Sequence, residues 1–260
     1  MTSRSILITG AGSGLGRGLA ITLATNGHDV IVTDQFPERA AETLAMIAKS
    51  EQPARPLTCS AHGLDVTLAE SIETLLRELG ERRIDVLINN AGLQHVAPLE
   101  EFPQERWDLL IDVMLAGPCR MSRAVLPLMR RNGFGRIINI GSIHSLVASP
   151  FKTAYVAAKH GLLGFSKVLA LETADVDITV NTICPSYIRT PLVEAQIEAQ
   201  SKAHGIPPQQ VIDQIMLKPM PKTRFISVEE VTATIEFLSA ETARNITGQC
   251  IVIDGGWTIQ

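Results

Sequence analysis

Tyr155 and Lys159 are four residues apart, a spacing that puts both side chains on one face of a helix, one above the other. A free tyrosine has a pKa of about 10 and is a poor base at neutral pH. An ammonium within about 4–6 Å favours the phenolate and brings that pKa down towards the range useful for general acid and base work. Ser142 lies upstream, directly after the run Arg136-Ile137-Ile138-Asn139-Ile140-Gly141. That run reads as a strand, so the serine stands at a strand's carboxyl end, where open α/β sheets gather their ligands. A serine at a strand's carboxyl end and a Tyr/Lys pair opening the next helix can converge in an α/β fold. Taken alone, the Tyr–Lys spacing is equally that of a solvated helix pair, and the surrounding elements must carry the reading.

Those elements begin with Ser5-Ile6-Leu7-Ile8-Thr9, a short apolar strand followed at once by Gly10-Ala11-Gly12-Ser13-Gly14-Leu15-Gly16. Helix-favouring residues run over 17–25 and stop at Asn26-Gly27. Strand, glycine turn and helix together make a phosphate site: glycines let the backbone approach a pyrophosphate, and the helix N-terminus faces its charge. A second strand over 29–33 ends at Asp34, whose carboxylate can accept the adenosine ribose hydroxyls and repel a 2′-phosphate. No arginine follows Asp34 immediately, so the expected cofactor is NAD rather than NADP. The competing reading makes Asp34 a cap for the helix that starts near Pro37. A third strand within 56–64 ends near Asp65-Val66, placed to meet an adenine ring. A fourth, over 84–88, ends in Asn89-Asn90-Ala91-Gly92, small and polar where a doubly wound sheet binds its ligand.

Between and after these strands the pattern is helical. Amphipathic helices are expected over 37–50 and 68–79, and a long one from Pro103 through Trp107 to Met129, kinked at Pro118 or Pro127. A strand over 178–184 leads into Pro185-Ser186-Tyr187-Ile188-Arg189-Thr190-Pro191. The segment 192–220 is polar, with Gly205-Ile206-Pro207-Pro208 dividing two short helical patterns. It reads as a lid inserted at about 188–220, or else as a surface or subunit-contact hairpin. A helix over 228–239 carries a capping box at Ser227 and Glu230, and a last strand covers 250–254. Strands alternating with helices give an α/β fold: one Rossmann-type, doubly wound parallel sheet with helices on both faces. Residues 1–260 are expected to form a single domain without repeats.

Composition narrows the class. With 45% apolar and 19% charged residues, a well-buried globular chain with subunit contacts is expected. The net charge of −4 gives no basic patch and argues against nucleic acid as partner. Cys59, Cys119, Cys184 and Cys250 show neither paired nor metal-ligand spacing, and three of them sit in apolar runs as small core residues. No metal site is expected. Met1-Thr2-Ser3-Arg4 leads straight into a strand without a signal peptide's apolar stretch, and no run reaches the roughly 20 apolar residues needed to cross a bilayer. A soluble cytoplasmic protein is expected, with no membrane partner.

Over essentially its whole length the sequence resembles the short-chain dehydrogenase/reductase family. The matching stretches are Thr9-Gly10-Ala11-Gly12-Ser13-Gly14-Leu15-Gly16, Asn89-Asn90-Ala91-Gly92, Ser142, and Tyr155 with Lys159. The resemblance implies a tetrameric NAD(P) oxidoreductase in which Tyr155 is the acid/base and Ser142 orients the substrate oxygen. Lys159 would hold the nicotinamide ribose. The cofactor would also meet Gly10, Gly12, Ser13, Gly14, Leu15, Gly16, Asn90, Ala91, Gly92, Pro185 and Thr190. Two positions depart from the family pattern: Met114 stands where an asparagine usually supports a relay water, and Ser186 where glycine is common. A thioether accepts a hydrogen bond only weakly and donates none, so the backbone is expected to hold that water.

Within the family the likeness is to members acting on a short 3-hydroxy acid. It rests on Asn90-Ala91-Gly92-Leu93-Gln94-His95, His144-Ser145-Leu146-Val147-Ala148-Ser149, Lys152, and Arg189-Thr190-Pro191-Leu192-Val193-Glu194-Ala195-Gln196. It implies that Gln94, Ser142, His144, Lys152, Tyr155 and Gln196 bind the substrate, with Gln94, His144, Lys152 and Gln196 on its carboxylate. The implied reaction is NAD-dependent, reversible oxidation of (R)-3-hydroxybutyrate to acetoacetate. Chemistry agrees: Lys152 precedes Tyr155 by three residues and His144 follows Ser142 by two, and a cation with neutral donors suits a small carboxylate. Two other readings stay open: another small hydroxy compound, a polyol or hydroxyacyl ester, and a nucleotide-binding regulator without catalysis. Lys152 and His144 also read as ordinary loop residues, and Gln94 and Gln196 as surface amides. His95 is expected to be structural, and Trp257 to pack at a subunit contact.

Overall fold

A computed structural model of the protein describes residues 3–50, 53 and 55–259; Met1 and Thr2 of the N-terminal reading lie outside them. In β1 (Ser5–Ile8) successive side chains point to opposite faces, and both faces are apolar. Ile6 and Ile8 join Val30, Val32, Val86 and Ile88 on one side, packed by Leu19, Leu23, Ile47, Val231 and Ile235. Leu7 joins Ile31, Leu87 and Ile137 on the other, packed by Ile72, Leu75, Met121, Val125 and Leu169. Strands buried on both faces are the mark of a parallel sheet covered by helices.

The sheet has seven parallel strands in the order β3-β2-β1-β4-β5-β6-β7. The others are β2 (Asp29–Asp34), β3 (Ser60–Gly63), β4 (Val86–Asn89), β5 (Phe134–Ile140), β6 (Asp177–Pro185) and β7 (Cys250–Ile253). Helices α1 (Gly14–Thr25), α2 (Pro37–Lys49) and α3 (Ala69–Leu79) link the first strands. They are followed by α4 (Gln104–Ile111), α5 (Gly117–Asn132) and α6 (Thr153–Glu172), then α7 (Pro191–His204), α8 (Pro208–Val211) and α9 (Val228–Ser239). The chain steps outward from β1 to β3 and then returns to lay β4 on β1's other edge. That reversal leaves a crevice at the carboxyl ends of β1 and β4.

One helical expectation is refined and another corrected. The long helix after Pro103 has its irregularity just ahead of Pro118, a π turn over Asp112–Ala116 in which the Gly117 N–H donates to the Asp112 carbonyl, with helical backbone on both sides. Pro118 directly follows the π turn at the start of α5, and Pro127 sits inside α5. The segment after Pro191 looks polar in sequence, yet Val193, Ile197, Val211, Ile212, Met216 and Met220 are buried in the main apolar cluster. Thr190 caps α7 by accepting the Val193 N–H at 3.4 Å, and Gly205 closes it with φ +63°. The capping box of α9 is present: Ser227 accepts the Glu230 N–H at 3.2 Å and donates its own N–H to the Glu230 carboxylate at 2.8 Å. Cys184 is buried, Cys59 and Cys250 half-buried and Cys119 exposed, all as free thiols. No described helix is long and apolar enough to cross a membrane.

Candidate active site

The carboxyl ends of the central strands open into a cavity of about 620 Å³. Its nucleotide half is shaped by close approach. Gly10 has φ +63°, and a Cβ there would lie 2.8 Å from Ala91 Cα. A Cβ on Gly12 would lie 2.6 Å from the Asp34 carboxylate and from Arg39 Cβ. The turn therefore admits only glycine at these points and leaves its backbone open to a pyrophosphate at the start of α1. Asn90 fixes the turn from β4: its side-chain amide donates to the carbonyls of Thr9 at 2.9 Å and Gly10 at 3.0 Å.

Asp34 ends β2 with its carboxylate accepting the Gly12 N–H and the Phe36 N–H, each at 3.0 Å. It makes no cap to α2, whose N-cap is Phe36, so the competing reading of Asp34 fails. Asp34 lines the cavity together with Asp65, Val66, Ser13, Gly14, Leu15 and Gly16. Gly92, Ala91, Pro185 and Thr190 lie on the same cavity, while Gly12 reaches it only through Asp34. Arg39, which sequence reasoning passed over, also lines it, with its guanidinium carbon 4.5 Å from the Phe36 ring centre. Arg39 lies in the first turn of α2 rather than adjacent to Asp34.

The substrate half holds Ser142, Tyr155 and Lys159. Ser142 caps a short 3₁₀ turn over Ile143–Ser145: its hydroxyl accepts the His144 N–H at 3.2 Å, and its own N–H donates to Ser145 Oγ at 3.2 Å. Lys159 Nζ donates to the Ile140 carbonyl at 2.6 Å and stands 5.7 Å from the Tyr155 ring centre. Burial lowers the Lys159 ammonium to about 8. Burial also pushes the Tyr155 phenol up, against the lowering effect of its hydrogen bond with Ser142. The net direction at Tyr155 reverses the expected lowering, because desolvation of the phenolate outweighs the Ser142 hydrogen bond.

Gln94, His144, Lys152 and Gln196 all line this same cavity, from the segment after β4, the β5–α6 connection and α7. His144 and Lys152 are buried. Burial first, and then the Lys152 charge, bring His144 down to about 4, which keeps its ring neutral. Its Nε2 pairs with Ser149 Oγ at 2.8 Å. Burial also lowers the Lys152 ammonium. Gln94 accepts the His95 N–H at 3.1 Å through its side-chain oxygen, which leaves its amide N–H donors for a ligand.

Two further aromatic residues stand at or behind the site. Tyr187 lines the cavity, with Lys152 Nζ 5.9 Å from its ring centre. Trp257 stands behind the site: its ring centre is 5.8 Å from that of Tyr187 and 6.4 Å from that of His144. The chain's return from β7 brings it there, a long-range event with no local signal. Met114 is buried beside Leu110, Ala154, Ala158 and Tyr155, filling apolar space next to the phenol. His95 packs edge-on against Phe102 at 5.0 Å, a structural role. Among the described residues no group of three or more His, Cys, Asp or Glu side chains is placed to hold a metal.

The family model described as short chain dehydrogenase matches residues 4–201. The chain belongs to that family. This short-chain dehydrogenase is 43% identical to a D-beta-hydroxybutyrate dehydrogenase of Cupriavidus necator, over all of both chains. It is 42% identical to a D-beta-hydroxybutyrate dehydrogenase of Rhizobium meliloti, covering 99% of this chain and 100% of that one. Among solved structures it is similar to an actinorhodin polyketide ketoreductase with NADPH, at 31% identity and a TM-score of 0.91, covering 98% and 97% of the two chains. The short-chain dehydrogenase is thus a nicotinamide-dependent oxidoreductase, and its likeness to those two relatives supports a hydroxy-acid substrate.

Proposed function

We propose that the protein oxidises (R)-3-hydroxybutyrate reversibly to acetoacetate with NAD. One observation carries the reading: a cation and three neutral side chains, Lys152 with Gln94, His144 and Gln196, share a cavity with Ser142 and Tyr155. A small carboxylate buried there would find charge and hydrogen bonds together. The two hydroxybutyrate dehydrogenase relatives support the same substrate. The collision-limited glycine turn and the twice-bonded Asp34 fit a dinucleotide, and Asp34 facing the ribose favours NAD over NADP.

When bound, the nicotinamide supplies the hydride acceptor. The chain's own residues do the rest. Tyr155 takes the substrate hydroxyl proton on oxidation and returns it on reduction. Ser142 donates to the same oxygen, holding it against the phenol. Lys159 keeps a positive charge 5.7 Å from the Tyr155 ring, where it favours the phenolate form that the reaction needs. The carboxylate contacts fix the carbinol carbon at one distance from the reacting face, which turns binding into orientation.

Residues 1–260 act in this reading as one NAD-binding catalytic domain, with α7 and α8 as the lid; Gln196, on α7, completes the clamp as the lid closes and excludes water. The protein works as a cytoplasmic homotetramer. The deciding experiment follows NADH formation with (R)-3-hydroxybutyrate, its (S) enantiomer and a neutral secondary alcohol, and repeats the first with NADP. Turnover confined to NAD and the (R) acid is the expected result. Preference for the neutral alcohol discards the substrate, and silence with NAD still bound discards catalysis.

A further inference from the structure

Phe151 immediately precedes Lys152, which lines the cavity. It has φ +65°, and among the described residues only Thr223 is another non-glycine with positive φ. Side chains disfavour that left-handed backbone because Cβ crowds the carbonyl, and asparagine and glycine tolerate it best. The Phe151 ring is 55% exposed, so burial gives little back for the strain. Something else must hold the conformation. The Phe151 carbonyl accepts the Ala97 N–H at 3.1 Å. Ala97 follows Gln94 by three residues, and Lys152, next after Phe151, is buried on the cavity wall. One hydrogen bond therefore ties together the two loops that carry Gln94 and Lys152. An ordinary negative φ at residue 151 would swing the following peptide and turn both the carbonyl and Lys152 away.

We infer that Phe151 is a positioning residue: its left-handed backbone, bonded to Ala97, sets Lys152 against Gln94 in the carboxylate clamp. This rests on the reading of Lys152 as a carboxylate ligand. Strain kept at such a place, away from any packing gain, is the usual sign that geometry next door requires it.

Three variants separate the backbone from the ring: Phe151→Asn, Phe151→Ala and Phe151→Ile. All remove the phenyl group, and they tolerate a left-handed backbone in falling order. The KM for (R)-3-hydroxybutyrate is expected to rise along the same series, from about twofold for asparagine to about tenfold or more for isoleucine. The kcat, and the KM for a neutral secondary alcohol, should stay within about threefold. A second readout needs no turnover: the rate of Lys152 acetylation by acetic anhydride, followed by peptide mass spectrometry. It should rise severalfold for isoleucine and stay near the parent rate for asparagine. Equal damage from asparagine and isoleucine would overturn the inference, since the ring would then matter. So would parallel loss on acid and alcohol, or unchanged KM and acetylation throughout. A graded acetylation rate in a protein silent towards the acid would leave the positioning role standing and reject the substrate instead. Phe151→Ala covers the case in which Phe151→Ile does not fold.

Discussion

His144 carries the sharpest pH signature of the site. Its folded-state pKa is about 4, against 6.5 for the free group, because burial and then the Lys152 charge oppose protonation. Between those values the unfolded chain binds a proton that the native chain refuses. The native state therefore loses stability as pH falls through that window and loses nothing from this group above it. From pH 7 to pH 5 the loss is about 2 kcal/mol. Urea midpoints at the two pH values should show a slope that His144→Gln flattens; an unchanged slope would place the histidine in water. The same neutrality makes Lys152 the only formal cation in the proposed clamp. Lys152→Ala should raise the KM for the hydroxy acid by about a hundredfold, on the scale of a lost charge-assisted hydrogen bond. Activity on a neutral alcohol should stay close to the parent value, and steady-state kinetics on both substrates decide the point.

At the scale of elements, the site depends on how helices start and break. Thr190 holds the first turn of α7, the helix that carries Gln196, through a single bond to the Val193 N–H. Thr190→Ala should cost α7 about 1 kcal/mol. Hydrogen exchange should then be faster over 191–204 than over α9, whose own capping box is untouched. The π turn at Asp112–Ala116 places Met114 in apolar contact with Tyr155 instead of ending in a polar side chain. If main-chain groups serve the proton relay, Met114→Asn should leave turnover within about threefold; a gain of about a hundredfold would show a side chain to be missing. Single-turnover kinetics with the tyrosine step rate-limiting make that comparison.

Much of this organisation was legible because it is local. The glycine turn, Asp34, Ser142 and the Tyr155–Lys159 pair are each set by neighbours within one strand, turn or helix. Tyr187, Trp257 and Arg39 were not legible, since what matters for them is which distant elements they meet. Phe151 reads as an unremarkable loop aromatic until its φ is known. The segment after Pro191 hid a buried face because its apolar residues are spread over α7, α8 and a π turn that breaks the helical period.

At the scale of the molecule, the outer surface of α6 is the feature that a lone chain leaves unexplained. Its inner face supplies Tyr155 and Lys159 to the cavity, and Ala154, Ala158 and Leu162 are buried. Its outer face exposes Val168 at 55% and Leu171 at 79%. A 20-residue helix with apolar side chains on both faces is the kind that another surface covers. In a tetramer such as the one proposed, a second copy's α6 would be that surface and would brace the helix carrying the acid/base from behind. Leu171→Glu sets two like charges towards each other at each such interface and should drive the assembly to smaller species, as measured by sedimentation velocity. Tyr155 lies on the opposite side and four turns away, so the dissociated protein should still bind NADH. Its turnover should fall as α6 loses its support. A variant that sediments as the parent does would remove α6 from the interface.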